Sequence, residues 1–474
     1  MIFIYMSIGT CVVAFPKMLQ DKLSIYVIGF WAAIVPLLVI VKIPIVTFFF
    51  IIGALLYMQR IFSPVQSLFI FIALVAAVPT WFDYMLSAGG TDIFHFRYWK
   101  LLLVCLFVPL LPALLAKKMP FDFVDILFVI FVIFLSFAYL FLDERLTLLT
   151  AIRFVIDMVL FHFVTYFVIS RVISLQPKDA IINISYGFMV MGLILAGVFV
   201  FNQAINADLY NVHTTASHAY GAAYIREYRG GFLRAEGPLS GEVMGLVLAA
   251  SAGSLFFLRS LVNFSWFKYA MCMALFLLAC ITTGSRGVLF SFMLVASSFI
   301  FLRSSAAIKV MLVLAVVVLF FAITAGVPVY NDEHGTFDFR KQLFEASFRF
   351  IAENPFGDSF YASHHYFDHL RRGSTRFLDI VSVYLQYLLP FGYLGLFLYV
   401  APFVFTVIQL VGLSVFTPQR AGIYADIMRL YAALLVGYLF MISTVSSVGL
   451  IDLIGLVFLA ISRGLIMSAR QSSV

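Results

Sequence analysis

Ile126-Leu127-Phe128-Val129-Ile130-Phe131-Val132-Ile133-Phe134-Leu135-Ser136-Phe137-Ala138-Tyr139-Leu140-Phe141-Leu142 contains one serine, one tyrosine and no charge. Coiled as a helix rising about 1.5 Å per residue, such a run approaches the ~30 Å of a bilayer's hydrocarbon core. Similar runs recur at roughly 2–16, 23–41, 43–58, 66–82, 100–116, 121–142, 151–174, 180–204, 239–258, 265–282, 287–303, 307–328, 381–411, 425–443 and 447–463. Hydrophobic residues make up 64% of the 474 and charged residues 11%, with a mean hydropathy of +1.07. A soluble chain of this length needs more charge to cover its surface. Continuous apolar runs exclude a β-barrel, whose strands alternate every second residue. The expected fold is all-α: a polytopic integral membrane protein of about 12–15 transmembrane helices, with one large external loop holding an amphipathic helix.

No basic residue precedes the apolar run at Met1–Phe15, so it is expected to be a short first span and not a cleaved signal. Cys11, Cys105, Cys272 and Cys280 all fall inside apolar runs without metal-ligand spacing and read as small core residues. Phosphate-binding Gly-rich loops and zinc spacings are absent from the sequence, so neither a metal nor a cofactor is expected.

Two polar gaps interrupt the runs, at 206–238 and 330–380, and the second carries four of the eight histidines and six arginines or lysines. If both gaps face outward, the inner side receives Lys17, Lys22, Arg60, Lys117, Lys118, Arg171, Lys178, Arg259, Lys268, Arg303, Lys309, Arg420, Arg429, Arg463 and Arg470. Nearly every short inner loop then carries basic residues, as the positive-inside rule requires. Of the fifteen basic residues left outside, twelve are arginine, against eight of fifteen inside. The planar guanidinium binds phosphate oxygens through two parallel N–H bonds, whereas lysine acts as a point charge. An arginine-rich outer face therefore suggests a phosphate ligand there. Five segments follow: helices at 1–205, an external loop at 206–238, central helices at 239–329, a large external loop at 330–380 and C-terminal helices at 381–474.

Three constellations could carry chemistry. Arg234-Ala235-Glu236-Gly237-Pro238-Leu239-Ser240 stands where the first gap enters a span, with Gly237 and Pro238 breaking the chain and Ser240 suited to cap the next helix. Arginine at such an entry makes an anion site, and the bland alternative is an interfacial Arg234 paired with Glu236. Thr282-Thr283-Gly284-Ser285-Arg286-Gly287 forms a second short outward turn. In the large loop, Phe339, Leu343, Phe344, Phe348 and Ile351 follow helical spacing, with Arg340, Lys341, Glu345 and Arg349 between them. That pattern predicts an amphipathic helix on the outer surface, stopped at Asn354-Pro355. His364, His365, Asp368, His369, Arg371, Arg372, Arg376 and Asp379 follow it. A histidine titrating near neutrality suits acid–base work. Inside the spans, Arg153 and Asp157 stand four apart and are expected to pair, while His162, Asp125 and Asp452 are expected to face protein or water. Such intramembrane groups also leave a proton-coupled transporter open.

The order of these features resembles the O-antigen ligase and polymerase superfamily of bacterial envelope polysaccharide glycosyltransferases. The likeness spans about 230 to 400: the Arg234 entry, the Ser285-Arg286-Gly287 hairpin, and the amphipathic helix ending in Asn354-Pro355-Phe356-Gly357. Tyr384-Leu385-Gln386 and Gly392-Tyr393-Leu394-Gly395 complete it. The resemblance implies transfer of a glycan from undecaprenyl pyrophosphate, without nucleotide sugar or metal, on the periplasmic face of the inner membrane. It places the pyrophosphate on Arg234 and Arg286, with Arg340 as a further binding residue; Arg376 of the large loop is a candidate of the same kind. Asp379, His364, His365 and Glu236 are the catalytic candidates. Ligases of the superfamily carry a histidine three residues ahead of the Tyr-Leu pair, where this chain has Val381. Polymerases vary there and often carry an acid or a hydroxyl, which Asp379 and Ser382 supply.

Polymerisation of O-antigen, capsule or exopolysaccharide repeat units is therefore the first reading. The second is a ligase passing the same glycan to a lipid-core acceptor, and the third a polysaccharide transporter or flippase. An internal repeat would favour the third, and none is visible between the halves. The implied partners are the undecaprenyl-pyrophosphate-linked oligosaccharide, the bilayer and a chain-length regulator; no nucleic-acid signature is present.

Overall fold

A computed structural model describes residues 44–75, 83–88, 91–117, 121–141, 148–205, 228–229, 232–233, 241–262, 265–283, 286–305, 308–309, 311, 336–358, 366–367, 382–416, 422–443 and 451–471. The spans predicted at 2–16, 23–41 and 307–328 lie outside these residues or nearly so. Helices dominate what is described: α1 (Pro44–Ile61), α2 (Pro64–Val75), α3 (Tyr98–Leu115), α4 (Phe123–Phe141), α5 (148–175), α6 (Pro177–Ile205) and α7 (Gly241–Val262). They continue as α8 (Trp266–Thr282), α9 (Arg286–Arg303), α10 (Thr336–Glu353), α11 (Val383–Phe416), α12 (Gly422–Met441) and α13 (Ile451–Gln471). Among the described residues six helices are long and apolar enough to cross a membrane, and six shorter apolar helices accompany them. The chain is a polytopic helical membrane protein.

Two small antiparallel hairpins, which the apolar pattern did not suggest, sit between helices: β1 (Asp83–Ala88) with β2 (Thr91–Arg97), and β3 (Tyr228–Arg229) with β4 (Phe232–Leu233).

The chain divides into two compact units. The first comprises 1–123, 146–292 and 448–474. Its centre is α6, packed on α2, α7 and α8, while α13 lies along the 165–175 part of α5. Small residues permit these close approaches. A Cβ on Gly192 would meet the Ser251 side chain, and one on Gly464 would meet the Ser170 carbonyl oxygen at 2.8 Å and the Ile173 Cβ at 2.6 Å. The Ser251 hydroxyl donates to the Phe188 carbonyl at 2.6 Å, joining α7 to α6. The fully buried Arg463 pairs with Asp122, which also accepts from Arg470 at 2.9 Å. Arg171 stacks over Phe121 at 4.7 Å. Arginine serves here because its flat, weakly hydrated head combines ion pairing with aromatic stacking.

The second unit comprises 124–145 and 293–447. α11 and α12 pack side by side, with Tyr387 stacked on Tyr399 at 4.0 Å between centroids and the Tyr399 and Tyr438 hydroxyls 2.6 Å apart. Asp426 gathers Arg429 at 2.9 Å and Arg303 at 3.5 Å, tying the C-terminal end of α9 to the first turns of α12.

The described cysteines, Cys105, Cys272 and Cys280, are buried free thiols, as the sequence suggested. His162 and Asp125 are buried, at 2% and 1% exposure, which accords with the expectation that neither faces lipid. The predicted Arg153–Asp157 pair does not form. Both Asp157 oxygens instead lie 2.6 Å from Lys100 Nζ on α3. The long-range lysine wins because its ammonium is held in place by the packing of α3 against α5, whereas an i,i+4 arginine must bend back along its own helix.

Candidate active site

α10 follows the boundaries expected from its pattern, and Asn354 stops it. The Asn354 N–H donates to the Phe350 carbonyl at 2.9 Å, and Gly357 N–H donates back to Asn354 at 2.9 Å. Leu343, Ser347, Phe350 and Ile351 form its buried stripe. They pack with Phe367 against Leu385, Leu388 and Leu389 of α11. Phe348, on the apolar face expected from sequence, is 61% exposed to the protein's surroundings, and Phe350 joins the stripe that packs on α11. Phe344 packs against the edge of this cluster, and the Phe348 ring lies 6.5 Å from that of Phe344, tilted by 31°. Lys341, Glu345 and Arg349 are exposed on the other side.

The turn 354–358 is built into a break in α11. Gly392 has φ 64° and ψ −165°, a region essentially restricted to glycine, and Pro390 lies just ahead of it. In an unbroken helix the Tyr393 N–H would bond the Leu389 carbonyl. Here the Tyr393 N–H donates to the Pro355 carbonyl at 3.1 Å, and the Leu389 carbonyl accepts from Asp358 N–H at 3.2 Å. The helix thus opens one ladder position and the loop fills both orphaned groups, as buried backbone requires. Gly357, with φ 81°, lies against the break, where an added Cβ would sit 2.5 Å from the Pro390 carbonyl oxygen and the Gly392 nitrogen. The two glycine signatures of the sequence, Asn-Pro-Phe-Gly and Gly-Tyr-Leu-Gly, are the two halves of this joint.

Ser382 occupies the N-cap of α11, its carbonyl accepting from Gln386 N–H at 3.1 Å. The first turn is anchored to the end of α12, where Val383 N–H donates to the Ile442 carbonyl at 2.9 Å and Tyr384 Oη to the Leu439 carbonyl at 2.6 Å. Ser382 itself is 1% exposed, and its hydroxyl has no hydrogen-bond partner among the described residues. Such a hydroxyl is a net cost, so Ser382→Ala is expected to raise the thermal stability of the solubilised protein by about 1 kcal/mol. A fall in melting temperature would show that the hydroxyl is bonded after all.

In the first unit, Arg286 is the first residue of α9. The preceding turn is braced: Gln203 Nε2 donates to the Thr282 carbonyl at 2.8 Å, and Thr283 Oγ1 donates to the Cys280 carbonyl at 2.8 Å. Gly245 of α7 lies against Val288 and Ser291, where a side chain would collide with the Val288 carbonyl. A guanidinium at a helix N-terminus adds its charge to the positive end of the helix dipole, which favours an anion. Arg234 follows β4 directly in sequence.

Arg234, Glu236, His364, His365, Arg376 and Asp379 lie outside the described residues, as do the side chains of Arg286 and Arg340. Arg340 belongs to α10 by its backbone. No group of three or more potential metal ligands occurs among the described residues.

Comparison with known families bears on this stretch of the chain. Residues 271–400 match the O-antigen ligase family. The match begins within α8 and runs through the Arg286 turn, α10, the glycine joint and the first part of α11. It supports a function of O-antigen ligase or polymerase type. No curated protein and no solved structure matches the chain.

Proposed function

We propose that the protein is a repeat-unit polymerase for O-antigen, capsule or exopolysaccharide, working on the outer face of the bacterial inner membrane. The observation that carries this reading is the family match over 271–400, which encloses Arg286, α10, the joint and Asp379 within one segment. The growing chain is carried on undecaprenyl pyrophosphate and passes to a hydroxyl of a new lipid-linked repeat. Asp379, His364 or His365 takes the acceptor proton as the acceptor oxygen bonds the anomeric carbon, with Glu236 as a further acid in the same role. The bond from that carbon to the pyrophosphate breaks, and its electron pair leaves with the pyrophosphate. Arg234 and Arg286 hold that leaving group, with Arg340 and Arg376 as supporting cations. Preorganised guanidinium groups stabilise charge that builds only as the bond breaks, which is where binding energy lowers a barrier. The polymerase reading is favoured over the ligase by Val381, which stands where ligases carry histidine, beside the buried hydroxyl of Ser382.

A strain lacking the protein is expected to carry single repeat units on its usual acceptor. Long polymer accumulating on undecaprenyl pyrophosphate would instead make the protein a ligase. The outward orientation has its own check: Ser217→Cys and Ser363→Cys should react with a membrane-impermeant maleimide in intact spheroplasts. Protection of both sites would contradict it.

A further inference from the structure

α11 does not run straight through the glycine joint. Tyr387 and Tyr399 stand twelve residues apart, about 18 Å along a straight helix, yet their rings stack with centroids 4.0 Å apart. Phe131 of α4 meets both rings, at 5.9 and 5.7 Å. The stretch 383–391 therefore folds back along 393–416, with Pro390 and Gly392 at the apex. Both arms meet the same end of α12. Val383 N–H donates to the Ile442 carbonyl at 2.9 Å, and the Tyr399 hydroxyl lies 2.6 Å from that of Tyr438.

The two arms differ in their surroundings. No residue of 383–391 is exposed, with α10 packed on Leu385, Leu388 and Leu389. From the joint onward an apolar stripe is exposed: Tyr393, Leu394, Phe397, Val404, Phe405 and Ile408. In a membrane protein such a stripe faces lipid. The arm from Tyr393 to Phe416 is about 36 Å long and covers the ~30 Å hydrocarbon core by itself. Its first turn, at the joint, therefore stands at the edge of that core.

Phe356 extends the stripe. The 354–358 turn is fastened to the apex by the bond from Tyr393 N–H to the Pro355 carbonyl, and a Cβ on Gly392 would sit 2.6 Å from the Phe356 Cα. Phe356 is 84% exposed, more than any other large hydrophobic residue described. A ring held out on so tightly bonded a turn gains nothing in water and fits the acyl chains beside it. Glu353 and Asp358, exposed on either side, limit the depth, because their charges belong among the headgroups.

We infer that the Asn354–Gly357 turn is a bilayer contact, with Phe356 inserted between headgroups and acyl chains as a continuation of the lipid-facing stripe of α11. The partner is the lipid surface itself. The large polar loop is thereby held to the membrane at the joint instead of standing clear of it. The inference concerns placement, so it stands whether or not the polymerase reading holds.

Spin labelling tests it. The four cysteines are replaced by alanine, a nitroxide is attached at Phe356→Cys, and the full chain is reconstituted in phosphatidylcholine–phosphatidylglycerol vesicles. Oxygen concentrates among acyl chains and a nickel chelate in water, so power saturation with each reports the phase around the label. At Phe356→Cys oxygen is expected to reach the label more readily than nickel, as at Ile408→Cys within the stripe. The order should reverse at Lys341→Cys, on the exposed side of α10. Tyr393→Cys should repeat the Phe356→Cys result from the other half of the joint, and both side chains are exposed, so neither label disturbs packing. A label at 356 that nickel reaches more readily would overturn the inference. So would one that neither reagent reaches, since protein would then cover the ring.

Discussion

Arg286→Ala is expected to slow chain growth by about 100- to 1,000-fold, the cost of removing one preorganised group that stabilises a developing anion. The residue opens α9 on a turn braced by Gln203 and Thr283, so its backbone is fixed before any substrate arrives. The alanine variant should therefore fold and insert normally, with the loss confined to rate. Arg286→Lys should recover only part of the activity, because an ammonium keeps the charge but not the two parallel N–H donors. Polymer length and amount in a complemented deletion strain, set against protein level in the membrane, measure both variants. Wild-type chain length with Arg286→Ala would remove this residue from the mechanism.

Gly392→Ala should act by a different route and at comparable scale. Its φ of 64° and ψ of −165° are closed to a residue with a Cβ, at a cost of about 1–3 kcal/mol for the backbone alone. The Cβ would also collide with the Pro355 and Phe356 backbone. Relief requires the 354–358 turn to leave the break, which strands the Tyr393 N–H and the Leu389 carbonyl. α10 should then lose its seat on α11. The expected result is a protein whose turn becomes open to limited proteolysis near Pro355 and whose activity falls with it. Gly357→Ala, at φ 81° against the same backbone, should reproduce this, whereas Gly412→Ala, with open space around it, should not. Protease resistance equal to wild type in Gly392→Ala would show that the joint does not hold the loop.

Much of this was legible in the sequence, for local reasons. The apolar runs announced the helical membrane fold because a bilayer imposes length and composition on each span separately. The ends of α10 were visible because Asn354-Pro355 stops a helix by its own chemistry. The joint was not, although both of its glycine motifs stood out: a positive φ and a missing ladder bond depend on what packs against the break. Which of the apolar residues of α10 pack on α11 was not legible either, since spacing alone cannot choose between adjacent stripes of an amphipathic helix. Asp157 shows the limit most clearly. The i,i+4 rule offered Arg153, and the partner came from residue 100, which no local rule connects to it. For the site itself, the sequence supplied the residue types and their order, and the structure adds the helix start at Arg286 in one unit and the α10–α11 joint in the other.

The most direct measurement is elongation by the purified, reconstituted protein supplied with a single synthetic undecaprenyl-pyrophosphate-linked repeat unit. The expected result is a ladder of longer lipid-linked glycans, with one undecaprenyl pyrophosphate released for each repeat added and none formed by Arg234→Ala or Arg286→Ala. No ladder from active preparations, or transfer only when a lipid-core acceptor is added, would contradict it.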